Sequence, residues 1–307
     1  NLRSYKKRID DAFLKIFGKK KIEKILLINP PDANKETFDF DRANRKRNSD
    51  YPPYGLLIVA KHLQKNGYKV KILNLHHEIS KKCVETNDRN SFDFESFWKK
   101  KLWENIKEFQ PDIISITCLF SVTHNSYKDV CFELKNPESL KINNLKETPL
   151  LSGGVHISHD PENILSEITP IDIALLNEAE LSFLSLIDYQ NKKTSVESLS
   201  MTYIREDNSQ FIKIDIDGRP KHLDLEIIPA YDLINVEEYS EYGTIGSWSA
   251  FRENVKIGTV LSNRGCRAQC TFCNVRIFNG VGVRQRSLQS VEKELSLLKN
   301  KYRIDHI

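Results

Sequence analysis

Ile25-Leu26-Leu27-Ile28-Asn29-Pro30-Pro31 is an apolar run of strand length that ends in a turn. Large aliphatic side chains in unbroken succession leave no polar face, so such a strand is buried on both sides. The prolines that follow lack the N–H a ladder needs, and they stop it. The same arrangement recurs down the chain. Tyr68–Leu75 alternates as a second strand, Asp112–Thr117 is a third, Leu150–Ser152 a fourth and Ile171–Leu176 a fifth. Between them fall stretches with helical apolar spacing: Leu56–Asn66 ended by Gly67, Phe92–Phe109 with Pro111 just beyond, His124–Leu134, and Leu181–Tyr189. Strands alternating with helices predict an α/β fold, a doubly wound parallel sheet covered on both faces.

The 307-residue chain has room for more than one domain. Its 46 lysines and arginines against 42 aspartates and glutamates leave a net charge of +4, too small a bias to mark a nucleic-acid-binding protein. The basic clusters Lys6-Lys7-Arg8, Lys19-Lys20-Lys21 and Arg45-Lys46-Arg47 read as solvated faces. No apolar run approaches the roughly 20 residues of a transmembrane segment, and the basic N-terminus lacks the apolar core of a secretory signal. Of six cysteines, three are clustered and three scattered at Cys83, Cys118 and Cys131. That is no disulfide framework, and it predicts a reducing, cytoplasmic setting. The chain opens at Asn1, has Met201 as its only methionine and stops at Asp305-His306-Ile307, where a strand is starting. The expectation is a piece of a longer polypeptide.

The pattern divides into a basic amphipathic extension at 1–20, the sheet domain at 21–195, a connector at 196–254 and a second unit at 255–307. Within the connector, Met201–Ile216 reads as a polar hairpin and Asp224–Leu233 as extended. In the last unit Lys256–Leu261 is predicted as a strand. Ser287–Lys301 is predicted as a helix, capped by Ser287 and apolar at Val291, Leu295 and Leu298. Strand, cysteine loop and helix in that order match the start of a (β/α) barrel.

In an open parallel sheet, ligands sit beyond the carboxyl ends of the strands. There the sequence places Asn29-Pro30-Pro31, Ser115 and Thr117, Gly153-Gly154, and Asn177-Glu178-Ala179-Glu180. Consecutive glycines let the backbone lie close to a large flat ligand. No GxGxxG loop follows the first strand, so a nicotinamide cofactor is not expected. Glu178 and Glu180 read as helix-capping and loop-positioning carboxylates in preference to an acid/base pair. His76 and His77, adjacent on an extended segment, point to opposite faces and read as surface residues. His156 and His159 lie beside the glycine loop.

Cys266, Cys270 and Cys273, in Arg264-Gly265-Cys266-Arg267-Ala268-Gln269-Cys270-Thr271-Phe272-Cys273, have CxxxCxxC spacing. Three thiolates so spaced can hold three corners of a [4Fe–4S] cluster and leave one iron open. A structural zinc site needs a fourth ligand nearby. After Cys273 there is no further cysteine, and the only histidine is the distant His306.

These residues resemble the cobalamin-binding-domain radical SAM enzymes. LLINPP, YPPYGLLIVAKHLQKNGYKVKIL, PDIISIT, LLSGGVHIS and IDIALLNEAE are similar to successive motifs of that family's N-terminal domain. DLEIIPAYDLI is similar to its connector, and VLSNRGCRAQCTFC with RQRS to the opening of its radical SAM domain. The resemblance implies a cobalamin-binding doubly wound domain followed by the start of a radical SAM barrel. It implies that Cys266, Cys270 and Cys273 bind a [4Fe–4S] cluster whose free iron chelates S-adenosylmethionine, with Phe272 against the adenine. Tyr54, Gly55, Ser115, Thr117, Gly153, Gly154, His156 and Glu178 would line or adjoin the cobalamin pocket. Family members commonly read GEGE where this chain has Asn177-Glu178-Ala179-Glu180. No DxHxxG motif follows the first strand, so cobalamin is expected without histidine ligation to cobalt.

The implied activity is methylation of an unactivated carbon or phosphorus centre in a small-molecule substrate. S-adenosylmethionine would be cleaved to a 5′-deoxyadenosyl radical by electrons from a flavodoxin or ferredoxin. The alternatives are a radical cyclase or rearrangement enzyme without methyl transfer, and a non-catalytic cobalamin- or metal-binding module. A methylthiotransferase is disfavoured, because Cys83, Cys118 and Cys131 lack the ordered strand-end placement of a second cluster.

Overall fold

The computed structural model describes residues 2–86, 88–207, 210–224, 228–246 and 255–307, with the side chain of residue 2 excepted. Residues 225–227 of the extended connector, and its end at 247–254, lie outside the described residues.

The elements run α1 (Leu2–Phe17), β1 (Lys24–Asn29), α2 (Phe40–Asn44), α3 (Tyr54–Lys65), β2 (Lys69–Asn74), α4 (Leu75–Thr86), α5 (Phe94–Phe109) and β3 (Ile113–Thr117). Next come α6 (His124–Leu134), α7 (Pro137–Ile142), β4 (Leu150–Gly153), α8 (Val155–His159), α9 (Pro161–Glu167), β5 (Ile173–Leu175) and α10 (Glu180–Gln190). The chain closes with β6 (Thr202–Arg205), β7 (Phe211–Ile214), α11 (Tyr239–Tyr242), β8 (Asn263–Cys266), α12 (Val275–Asn279), β9 (Gly282–Gln285) and α13 (Leu288–Asn300).

The main sheet has the order β2-β1-β3-β4-β5-β6-β7, with β1 to β5 parallel and β6 and β7 antiparallel. The predicted parallel α/β sheet is therefore present. Its order reverses between β1 and β3, the switch point where an open sheet leaves a crevice at the strand ends. Successive residues of β1 go to opposite faces: Ile25 and Leu27 pack with α1, α3 and α10, Leu26 and Ile28 with α4, α5 and α6. All four are wholly buried, each worth about 1.5–3 kcal/mol of transfer free energy. That two-sided burial is why the run is unbroken. The N-terminal extension is a helix, α1, docked through Ile9, Ala12, Phe13 and Phe17.

Local signals set the boundaries. Asp93 caps α5 by accepting from the Ser96 N–H at 2.7 Å, and Gln110, with φ of 50°, ends it before Pro111. Ser287 caps α13 by accepting from the Ser290 N–H at 3.2 Å.

Several details differ from the sequence reading. The hairpin at 201–216, counted there with the connector, extends the sheet through β5–β6 pairing. Lys256–Leu261 is not a ladder strand. Its β pairing is one parallel bridge, Ile257 to His306, because a strand needs a neighbour along its length and here the neighbour is a few residues. The strand at the cysteines is β8, antiparallel to β9. His76 and His77 open α4 instead of lying on a strand, and His77 is buried. On α13 the buried stripe runs through Glu294 and Leu298, leaving Leu295 exposed.

Candidate functional site

Thr117, Gly153 and Gly154 converge at the carboxyl edge beside the switch point. Thr117 and Gly153 are register partners, the Cys118 N–H donates to the Gly153 carbonyl at 3.0 Å, and the His156 N–H donates to the Cys118 carbonyl at 3.1 Å. Gly154 sits at φ 110°; a Cβ there would overlap the Cys118 carbonyl and lie 2.9 Å from Thr117 Oγ1. Only glycine fits both that conformation and that approach. Ser115 is buried within β3, behind this edge.

Beyond Cys118 the chain exposes apolar side chains at the rim: Phe120 is 63% and Val122 88% accessible. The rim also carries a relay of polar groups. His156 Nδ1 is 3.0 Å from Ser121 Oγ, its Nε2 is 2.9 Å from His124 Nδ1, and His124 Nε2 is 3.2 Å from Glu167. Burial first, then the neighbouring His124 and His159, depress the basicity of His156.

Glu178 and Glu180, leaving β5, do not face this rim. Glu178 accepts from Arg264 at 2.8 Å, from Asn279 at 2.7 Å, and from both terminal nitrogens of Arg284, one of them at 3.0 Å. Arg264 also pairs with Glu180. Both glutamates are 4% exposed. Arg264 is separated from Cys266 only by Gly265, whose φ of 92° and contact with the Gly282 carbonyl admit no Cβ. The buried ion pairs therefore hold the stem of the cysteine loop to the sheet.

Tyr54 and Gly55 open α3, apart from Gly154. The Tyr54 hydroxyl donates to Glu294 at 3.1 Å and accepts from Arg286 at 3.3 Å, whereas space beside Gly55 is open. Arg284 and Arg286 of RQRS thus secure two buried carboxylates, Glu178 and Glu294. Sequence reading missed this because it weighed the glutamates as caps and the arginines as motif letters. The buried cluster at His77 was missed as well: it is 2.7 Å from Asp50, 3.5 Å from Glu238, and stacked on Tyr239.

Cys266, Cys270 and Cys273 are free and solvent-accessible, and Phe272 is 90% exposed. Among the described residues no three His, Cys, Asp or Glu side chains converge closely enough to enclose a metal ion. The donor set still fits a cluster, since accessible unpaired thiols stand on one short loop. Cys118 does stand at a strand end, contrary to the sequence reading, yet it is buried with Cys83 and Cys131. Burial pushes the thiols of Cys83 and Cys118 up to about 12 and about 11. At the carboxyl edge the Asn177 Oδ1 is buried without a hydrogen-bond partner. Together with Gly154 and the apolar rim, that orphaned acceptor fits a large amide-bearing ligand.

Residues 43–187, which include this edge, match the family described as the B12 binding domain. The chain is 27% identical over 306 residues to the cytidylyl-2-hydroxyethylphosphonate methyltransferase of Streptomyces wedmorensis, covering 93% of this chain and 54% of that protein. It is 28% identical over 293 residues to an uncharacterised methyltransferase of Pyrococcus horikoshii, covering 94% and 53%. The chain thus spans about half the length of the curated relatives it matches. Among solved structures it is similar to the radical S-adenosylmethionine methyltransferase TsrM of Kitasatospora setae with cobalamin and a [4Fe-4S] cluster bound: TM-score 0.57, 17% identity, 90% of this chain and 46% of that one. It is also similar to the cobalamin-dependent S-adenosylmethionine radical enzyme OxsB: TM-score 0.64, 18% identity, 94% and 33%. These likenesses show a shared fold. Among the described residues no helix is long and apolar enough to cross a membrane.

Proposed function

We propose that this chain carries the cobalamin-binding and cluster-binding parts of a cobalamin-dependent radical SAM methyltransferase. It would act on an unactivated carbon or phosphorus centre of a small molecule. One observation carries the reading: a B12 binding domain and a loop of three accessible thiols are joined at one sheet edge by buried Arg264–Glu178 and Arg264–Glu180 pairs.

In this reading Cys266, Cys270 and Cys273 would hold three irons of a [4Fe–4S] cluster, and Phe272, exposed beside them, would pack against the adenine of S-adenosylmethionine. Thr117, Gly153 and Gly154 would offer close backbone approach to cobalamin, and the exposed Leu119, Phe120 and Val122 would pack against it. The unpartnered Asn177 Oδ1 would accept from an amide N–H at the ligand's edge. When bound, the cluster and cobalamin supply reductive cleavage of S-adenosylmethionine and methyl transfer respectively. The chain's own contribution is to fix the stem of the thiol loop to the strand ends through Glu178. A one-electron donor of the flavodoxin or ferredoxin class would serve it. The free thiols suit a reducing cytoplasm.

The test is anaerobic turnover of the reconstituted protein with dithionite and S-adenosylmethionine. The reading requires methionine and 5′-deoxyadenosine in equal amounts, lost in Cys270→Ser. S-adenosylhomocysteine formed with them marks methyl transfer; cleavage without it in the presence of substrate marks a radical rearrangement. No cleavage by an iron-loaded protein would sink the enzyme reading.

A further inference from the structure

An ionised carboxylate has about four acceptor positions. In Glu178 each oxygen takes two donors: Oε2 from Arg264 and Arg284, Oε1 from Asn279 and Arg284. Its side chain is 2% exposed. No acceptor capacity remains for a cofactor. The donors come from three places around the thiols: Arg264 on the strand entering Cys266, Asn279 at the end of the helix after Cys273, and Arg284 on the strand paired with the first.

We propose that Glu178 is a positioning residue of the cysteine loop and not a contact of cobalamin. One carboxylate, set by β5 of the B12 binding domain, gathers both strands and the helix around the thiols. It thereby fixes their height above the carboxyl edge. This rests on the reading above: with both cofactors in place, the same clamp sets the distance between them. Removing one partner of a buried charge cluster leaves the others uncompensated, so the stem should loosen instead of repacking.

The experiment compares wild type, Glu178→Gln and Arg284→Gln as full chains by amide hydrogen exchange, then after anaerobic iron–sulfide reconstitution with hydroxocobalamin. Exchange at 263–266 and 282–285 is expected to rise about tenfold in both variants with 150–153 unchanged. Cobalamin affinity should hold, while chelators strip iron about tenfold faster. The reduced-cluster resonance should change, and the Glu178→Gln potential should become more positive, because one negative charge beside Arg264 and Arg284 is removed while both arginine charges stay. Unchanged exchange in both variants overturns the clamp, as does cobalamin loss with iron retention in Glu178→Gln. If Glu178→Gln does not fold, Arg284→Gln decides, since it removes the Arg284–Glu178 pair from the other side. Iron refused by wild type would defeat the functional reading alone; the exchange comparison would still judge the clamp.

Discussion

Tyr54 donates its hydroxyl hydrogen to Glu294 at 3.1 Å, joining the first turn of α3 to a carboxylate on α13 that is 0% exposed. Tyr231 donates to the same carboxylate at 2.7 Å, and Arg286 pairs with it. Burial first, and then the Glu294 charge, raise both phenol pKa values, so each stays a donor. This is a second tie between the sheet domain and the cysteine segment.

Glu294→Ala is expected to cost about 3–5 kcal/mol in urea unfolding, because Arg286 is left as an unpaired buried charge. Tyr54→Phe should cost about 1.5–3 kcal/mol, the worth of a hydrogen bond to a charged group, with cobalamin affinity unchanged. A loss of cobalamin binding in Tyr54→Phe would move that residue into the pocket instead.

Gly154→Ala should destabilise by about 2–3 kcal/mol, combining a positive φ with overlap on the Cys118 carbonyl. Hydroxocobalamin affinity should fall with it, because Thr117 and Cys118 must move. Wild-type stability and binding in this variant would contradict the close approach described at the strand ends.

His62 makes stability pH-dependent. Burial first, then the charges of Arg264 and Lys65, push its pKa down to about 4, against about 6.5 in the unfolded chain. Between those values the unfolded state binds the extra proton, so stability falls as pH falls, by about 3 kcal/mol in all. His77 runs the other way. Burial alone would lower its pKa, but Asp50 and Glu238 raise it overall. Its contribution is whole below about pH 6.5 and is lost as pH rises through the raised value. Urea midpoints of wild type and His62→Asn from pH 7 to pH 4.5 check this; the acid loss should shrink in the variant. Equal slopes would mean that His62 is not buried neutral.

Thiol titration of the iron-free protein should split the cysteines. Cys270 and Cys273 react at once, Cys266 more slowly, and Cys83, Cys118 and Cys131 only after denaturation. Rapid labelling of Cys118 would reopen a second cluster at the strand ends.

What was legible in the sequence was whatever burial writes locally. Ile25–Ile28 could be read because both faces of β1 are covered, and the end of α5 at Phe109 because Pro111 follows it, whereas the Asp93 cap starts the helix two residues after the expected Phe92. The start of α4 was hidden because Leu75 follows Asn74 with no Gly, Pro or loop between strand and helix. Lys256–Leu261 carries strand-like residues, but pairing depends on a distant partner, met here at His306. The cysteine spacing pointed to a cluster, whereas the partnership of Glu178 with Arg264, 86 residues away, has no local trace. Glu294 did leave one: it lies three residues after Val291 and four before Leu298, inside the apolar stripe of α13, where a charge demands partners.

Three cysteines that hold a cluster with one open iron, beside the segment that matches the B12 binding domain, make the reduced, reconstituted protein responsive to S-adenosylmethionine in electron paramagnetic resonance. Expected are about four irons per chain, a cluster signal whose g-values move on addition of S-adenosylmethionine, and no signal in Cys266→Ser, Cys270→Ser or Cys273→Ser. A single tightly bound zinc with no iron uptake, or a cluster signal indifferent to S-adenosylmethionine, would contradict it.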